Sequence, residues 1–460
     1  MRLTLIHPCI GRRAGQRYMK TWQMEPLPPA LIAGLTPPGV DLAFYDDRME
    51  AIPFDEATDL VAISVETYTA RRAYQIASEY RRRGVPVVMG GFHATLCPEE
   101  VAEWADAVVI GEAEKIWPRV LEDAESGSMQ VYYRADGRVE RGGARVDRSI
   151  FRGKRYLPLG LVEATRGCRF NCEFCAIQTV FQRSHTSRPM EDLLAEVEEV
   201  RDRALVFFVD DNIAGDLERG KEMLRALVPM KIRWVSQMSI DAAHDEEYLA
   251  LLRESGCQGV LIGFESLNPG NLKSMGKSFN LGNGGYERAL ANLARFGIRL
   301  YGTFVFGYDE DTPTSFLETA RFPMERGFYI AAFNHLTPFP GTPLYHRLET
   351  EGRLLFDRWW LDPGYGYNML PFQPARMSPE EVERGCLEAR RAFYRWESVM
   401  RRGFMGANRS GGKVRALYYW INYLLRREVA ERQRYPLGDD AWQGELLRVR
   451  RNPTAVGRAS

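Results

Sequence analysis

Short apolar runs recur along the first part of the chain, and helical patterns separate them. The runs at 2–10 (RLTLIHPCI), 40–47 (VDLAFYDD), 60–68 (LVAISVETY), 86–94 (PVVMGGFHA) and 107–114 (AVVIGEAE) read as strands. Residues 25–35 read as a helix with proline in its first turn, and 69–84 and 98–105 as two more. This alternation predicts a doubly wound, Rossmann-like α/β domain over 1–130. Such sheets bind ligands at the carboxyl ends of their strands. At those ends stand Ser64 and Thr67, then Gly90, Gly91 and His93, then Gly111 and Glu112.

After a linker, 131–157, the pattern restarts. Strand runs are expected at 160–165, 204–209, 232–238, 259–264, 298–306 and 330–336. The helix 190–203 sets Met190, Leu193, Leu194, Val197 and Val200 on one face. Six such units predict a partial (β/α)6 barrel of the TIM type over 158–345, with its chemistry at the carboxyl rim. The remainder, 346–460, reads as mainly helical, with helices at 378–396 and 413–434. In the second, Tyr and Trp surround the helix, which predicts packing more than an interfacial membrane anchor. Arg401, Arg402 and Arg409 are expected to be solvated, and 450–460 to be a disordered tail.

Composition narrows the picture. The chain has 460 residues, enough for two or three domains. Lys+Arg and Asp+Glu both total 61, which argues against a dedicated nucleic-acid surface. The opening residues lack a signal-peptide pattern and no run is apolar enough to span a bilayer, so a cytoplasmic protein is expected. Seven scattered or clustered cysteines fit a reducing compartment without a disulfide framework.

Three of those cysteines, Cys168, Cys172 and Cys175, fall in EATRGCRFNCEFCAIQTVF just after the first barrel strand. Structural zinc favours four ligands in paired Cys-x2-Cys units, and no second pair is present. A four-iron cluster held by three thiolates leaves one iron open to a further ligand. The other strand ends are polar too: Asp210, Asp211 and Asn212; Ser239; Glu265; and Gly307 to Thr312.

Cys168-x3-Cys172-x-Phe174-Cys175 resembles the signature of radical S-adenosylmethionine enzymes. The resemblance implies a [4Fe-4S] cluster whose open iron takes S-adenosylmethionine, and reductive cleavage of that molecule to a 5′-deoxyadenosyl radical. It implies adenine contacts from the Phe174 backbone and from TFVFGYDE (303–310), where Val305, Gly307 and Glu310 match an adenine motif and Thr303 replaces its first glycine. It places Asp210, Asp211 and Asn212 near the methionine amino group, and Ser239 and Glu265 near the ribose. No further catalytic residue is assigned. The first domain is similar to cobalamin-binding domains, with Ser64-Val65-Glu66 and Gly90-Gly91 at the expected places. It departs from many of them at DDRMEA (46–51), where Arg48 stands in place of the histidine that ligates cobalt. Cobalamin without a histidine ligand from the chain is the expectation.

Together the domains resemble the cobalamin-binding radical S-adenosylmethionine subfamily. The implied activity is methyl transfer to an unactivated carbon or phosphorus of a small molecule, lipid or natural-product intermediate. A flavodoxin or ferredoxin is the implied reductant. Oxidative cyclisation or rearrangement with the same cofactors is the alternative. A tRNA methylthiotransferase fits less well, because only Cys9 and Cys97 precede the barrel. A non-catalytic cobalamin or redox sensor is the reading from another class.

Overall fold

The computed structural model describes residues 1–15, 23–135, 142–409, 411–431 and 433–449. The expectation of a disordered tail at 450–460 therefore falls outside the described residues. The chain forms two compact units: 1–157 with 358–367 and 435–460, and 158–357 with 368–434.

The first unit is built on six parallel strands: β1 (Arg2–His7), β2 (Asp41–Asp46), β3 (Leu60–Ser64), β4 (Val87–Gly90), β5 (Ala107–Ile110) and β6 (Tyr132–Arg134), in the order β2-β1-β3-β4-β5-β6. The β5 run, Ala-Val-Val-Ile, is buried along its whole length, as a strand covered on both faces must be. Its helices include α1 (Leu27–Leu35), α2 (Ala70–Arg82) and α3 (Trp117–Glu125). β6 corrects the reading of 131–157 as linker. Tyr132, Tyr133 and Arg134 are too short a run to show a period, yet they extend the sheet beside β5.

Two tail segments also belong to this unit, against the expectation of one contiguous C-terminal region from 346. Gly366–Tyr367 pairs with Tyr435–Pro436, and Gly438–Asp439 lies parallel to Gly11–Arg12. Buried charge fastens the return. Arg72 and Arg12 both bond the fully buried Asp47, and Asp439 lies 3.0 Å from Arg12 and 3.6 Å from Arg72.

The second unit holds β7 (Leu159–Val162), β8 (Leu205–Phe208), β9 (Trp234–Gln237), β10 (Cys257–Glu265), β11 (Arg299–Phe306) and β12 (Ile330–His335), all parallel and in sequence order. The helices are α4 (Ala176–Phe181), α5 (Met190–Val200), α6 (Leu217–Leu227), α7 (Glu246–Glu254), α8 (Gly285–Arg295), α9 (Ser315–Glu325), α10 (Pro343–Thr350), α11 (Pro379–Phe393), α12 (Trp396–Gly403) and α13 (Lys413–Glu431). Phe264, Phe304 and Phe333 stack across β10, β11 and β12 in the core. α11 starts with a capping box between Ser378 and Glu381, and its apolar side joins the core through Val382, Cys386, Ala389 and Phe393.

Arg402 corrects the expectation of a solvated side chain. It is fully buried, its guanidinium lies 3.6 Å from the Phe393 ring centre, and it donates to the carbonyls of Phe328 and Phe393. Arg401 and Arg409 are exposed. Among the described residues no helix is long and apolar enough to cross a membrane.

Candidate active site

The cysteine loop is fastened from the strand beside it. After β7 the chain forms a short antiparallel pair, Thr165–Gly167 with His185–Ser187. Two aspartates at the end of β8 hold this entry. Both Asp210 oxygens point inward, one accepting from the Thr165 N–H and hydroxyl, the other from the Ala164 N–H at 3.3 Å. Burial pushes the Asp210 carboxyl up to about 7, against the pull of these hydrogen bonds. Asp211 accepts from the Gly167 N–H at 2.7 Å, one residue before Cys168. Gly167 has φ +88°, and a Cβ there would stand 2.2 Å from the Ser184 carbonyl oxygen.

Asn212 follows. Its amide donates to Cys168 Sγ at 3.7 Å and to Ser239 Oγ at 3.1 Å, while its oxygen accepts from the Ser239 N–H at 3.0 Å. Cys168, Asn212 and Ser239 thus converge at one rim. The placing of Asp210 beside a ligand's amino group needs revision: the carboxylate is wholly buried and spends its oxygens on the Ala164–Thr165 backbone.

Cys172 and Cys175 close a turn, with the Cys175 N–H donating to the Cys172 carbonyl at 3.1 Å. Burial pushes the Cys172 thiol up to about 12, with Lys277 opposing, and raises Cys175 as well, while the Gln178 and Ile177 N–H groups pull Cys175 down. Buried thiols ionise reluctantly alone; bound iron supplies the positive charge that holds them as thiolates. Among the described residues no three His, Cys, Asp or Glu side chains converge on a single-ion site. A four-iron cube makes no such demand, because each thiolate binds a different iron. Phe174 is half-buried against the barrel core.

Several site neighbours carry no sequence signal. Lys277 lies buried beside the loop, 2.8 Å from Glu265 and 3.2 Å from the Gly263 carbonyl. Burial alone would lower its pKa; Glu265 and the cysteines outweigh that and raise it. Glu265, read as a ribose contact, therefore has one oxygen committed to Lys277, and it sits at φ +61°. At the end of β11, Gly307 (φ +110°) donates to Asp311 at 2.9 Å, and Asp311 accepts from Asn271 at 2.8 Å. Val305 is half-buried on β11. Glu310 is exposed and pairs with Arg376 at 2.9 Å. One lysine in SMGKSF and one acid among three in YDEDT form no pattern a reader of sequence could weigh.

In the first unit, Ser64, Gly90 and Gly91, and Gly111 end the neighbouring strands β3, β4 and β5. Gly91 has φ +102°, and a Cβ there would lie 2.9 Å from the Val65 carbonyl oxygen. Thr95, absent from the sequence reading, ties two of these ends: it donates to the Gly91 carbonyl and accepts from the Gly111 N–H, each at 2.9 Å. Thr67 is buried and Glu112 half-buried. His93 needs correction as a rim contact. It is fully buried, with Nε2 3.1 Å from Glu100, which also accepts from Tyr74 and Trp360. Arg48 bonds Asp46 and the Met24 carbonyl, so no imidazole comes from 46–51.

The Radical SAM superfamily profile matches residues 162–322, and the B12 binding domain profile matches 38–121. Bacteriochlorophyllide d C-12(1)-methyltransferase of Chlorobaculum tepidum is 31% identical over 415 residues, covering 87% of this chain and 88% of that protein. This chain belongs to the cobalamin-binding radical S-adenosylmethionine enzymes. Bacteriochlorophyllide d C-8(2)-methyltransferase of the same organism is 26% identical, over 81% of this chain and 86% of that protein. The fold matches that of the radical S-adenosylmethionine methyltransferase TsrM from Kitasatospora setae, solved with cobalamin and a [4Fe-4S] cluster, at TM-score 0.61 and 17% identity over 94% of this chain and 99% of that one.

As a cobalamin-binding radical S-adenosylmethionine enzyme, the chain uses a [4Fe-4S] cluster, S-adenosylmethionine and cobalamin. Cys168, Cys172 and Cys175 fit the cluster in type and spacing. The open strand end at Gly111 fits a bulky cofactor: a Cβ there would meet nothing within 4 Å.

Proposed function

We propose that the enzyme transfers a methyl group to an unactivated carbon of an apolar small molecule, with a chlorin-type tetrapyrrole as the leading substrate class. The observation that carries the reading is the fastened cysteine loop in one chain with a cobalamin-binding unit. A radical barrel needs no cobalamin to abstract hydrogen, and a cobalamin unit needs no radical to methylate a thiol or amine. Their fusion suits a carbon that has no lone pair to attack. The substrate class is supported by the two bacteriochlorophyllide d methyltransferases, which align over most of this chain.

When bound, the cluster with S-adenosylmethionine supplies hydrogen abstraction, and cobalamin carries the methyl group. The chain's own residues position and exclude. Asp210 and Asp211 fix the backbone entering Cys168. Asn212 orients the Cys168 sulfur and the Ser239 hydroxyl together. We assign Asp211, Asn212, Ser239, the Phe174 backbone, Val305 and Gly307 to S-adenosylmethionine, with Glu265 held by Lys277. Ser64, Thr67, Gly90, Gly91, Gly111 and Glu112 are assigned to cobalamin, and His93 supports that rim from inside. A flavodoxin- or ferredoxin-type protein is the proposed reductant, and the cytoplasm the proposed location.

The test supplies anaerobically reconstituted enzyme with methyl-deuterated S-adenosylmethionine, a reductant and bacteriochlorophyllide d. The expected result is a product carrying the labelled methyl group, lost in Cys172→Ala. An altered product without label would replace methyl transfer by oxidation or cyclisation.

A further inference from the structure

Two helices at the end of the second unit present an apolar face that the core does not use. On α12, Ser398, Val399, Arg402 and Gly403 are buried. The other side shows Trp396, Met400 and, just past the helix, Phe404, four residues apart and therefore in one stripe. On α13, Tyr418 and Asn422 are buried while Leu417, Trp420 and Tyr423 are exposed. Phe404 and Trp420 are each 58% exposed, unusual for such large side chains. The stripes form one surface: Trp396 stacks on Tyr423 with ring centres 6.4 Å apart, and Trp420 lies 5.9 Å from Tyr423.

Arginines frame the aromatic rings. Arg415 lies over Phe404 at 5.8 Å, Arg426 over Trp396 at 5.3 Å and Arg427 over Tyr423 at 5.9 Å. Arg395, Arg401, Arg409, Arg426 and Arg427 are exposed on the same segment, in a chain whose net charge is zero. Basic charge is thus gathered where the apolar side chains are exposed.

We infer that this face docks the enzyme on an anionic lipid bilayer. Trp and Tyr favour the boundary between headgroups and acyl chains, and arginine pairs with lipid phosphate while its stem lies along apolar surface. A second copy of the chain is a poor occupant, because the two faces would bring like charge together. Nucleic acid shares the anionic charge and could stack on Trp396 or Trp420. Met400 and Leu417, however, have no base to stack on and a natural place among acyl chains. The inference stands apart from methyl transfer: a bilayer-bound enzyme of any chemistry would show it.

The experiment is vesicle flotation of the full-length protein with phosphatidylcholine alone and with added phosphatidylglycerol, at low and high salt. The protein should float with the anionic vesicles and less so at high salt. Arg426→Gln and Arg427→Gln should each weaken binding roughly fivefold, because each basic side chain near an anionic surface contributes about that factor. Trp420→Ser and Met400→Gln should weaken binding at both salt concentrations. All four sites are exposed, and unchanged melting of each variant separates lost docking from lost folding. Should one melt lower, Leu417→Ser takes its place. No flotation at low salt overturns the proposal, as does flotation that all the variants retain. So does an oligonucleotide that binds tightly where vesicles do not, or a dimer that Trp420→Ser dissolves without any vesicle binding.

Discussion

Cys168 owes its position to side chains outside its own loop. Asp211 holds the preceding amide, Asn212 reaches the sulfur, and Asp210 satisfies two buried N–H groups and a hydroxyl at once. Replacing Asp210 with alanine leaves those donors buried without partners, each at about 1–3 kcal/mol. Asp210→Ala should therefore destabilise the second unit by about 3 kcal/mol or more, read by denaturant unfolding. It should also lower iron retention below the roughly four atoms per chain of a full cluster, read by iron analysis after reconstitution. The cysteines were legible because three thiols in eight positions have no structural reason to group. The aspartates were legible as a polar strand end, but their direction was not. Whether a carboxylate faces a ligand or the backbone behind it depends on a turn of chain 45 residues away in sequence. Lys277 and Thr95 were illegible because each is a single polar residue whose partner comes from another element, and Asp311, although inside the polar strand end 307–312, gave no sign that it would bond Asn271.

Strands were the most legible elements. Every strand run expected in either domain is present, because each carries a short apolar run bounded by turn residues. The exception, β6, is three residues long. Strand ends also carry histidines, His335 buried and His7 half-buried, with a consequence for pH. Burial, with Arg48 adding to it, lowers His7 at the end of β1 to about 4, and burial lowers His335 at the end of β12 to about 3. Both are neutral in the fold, whereas an unfolded histidine takes its proton near 6.5. The unfolded state binds more protons below that value, so their contribution is present above pH 6.5 and is lost as pH falls through the folded values. Melting temperature should drop between pH 7 and pH 5. His335→Gln, which has no proton to gain, should flatten that drop in the second unit's transition. An unchanged slope in the variant would remove His335 as a cause. The helix at 413–434 packs against the second unit as expected, through Tyr418 and Asn422, but not on all sides. Its aromatics surround the axis in sequence, yet Tyr418 packs inward while Trp420 and Tyr423 face out.

For the whole molecule, domain order was legible and chain path was not. Segments 358–367 and 435–449 rejoin the first unit through pairings too short to leave a periodic trace. A chain ending at 434 loses the Asp439 links to Arg12 and Arg72 and the strand pair beside Gly11. It should melt its first unit several degrees earlier than the full chain while the second unit's transition holds, as calorimetry can resolve. The balanced charge, with 61 residues of each sign, hid the local basic surplus at 395–434. The most direct measurement of the central claim counts by-products in a reaction with an accepted substrate. Radical methyl transfer to carbon predicts one S-adenosylhomocysteine and one 5′-deoxyadenosine for each methylated product. 5′-Deoxyadenosine formed with product but without S-adenosylhomocysteine, or S-adenosylhomocysteine formed alone, would contradict it.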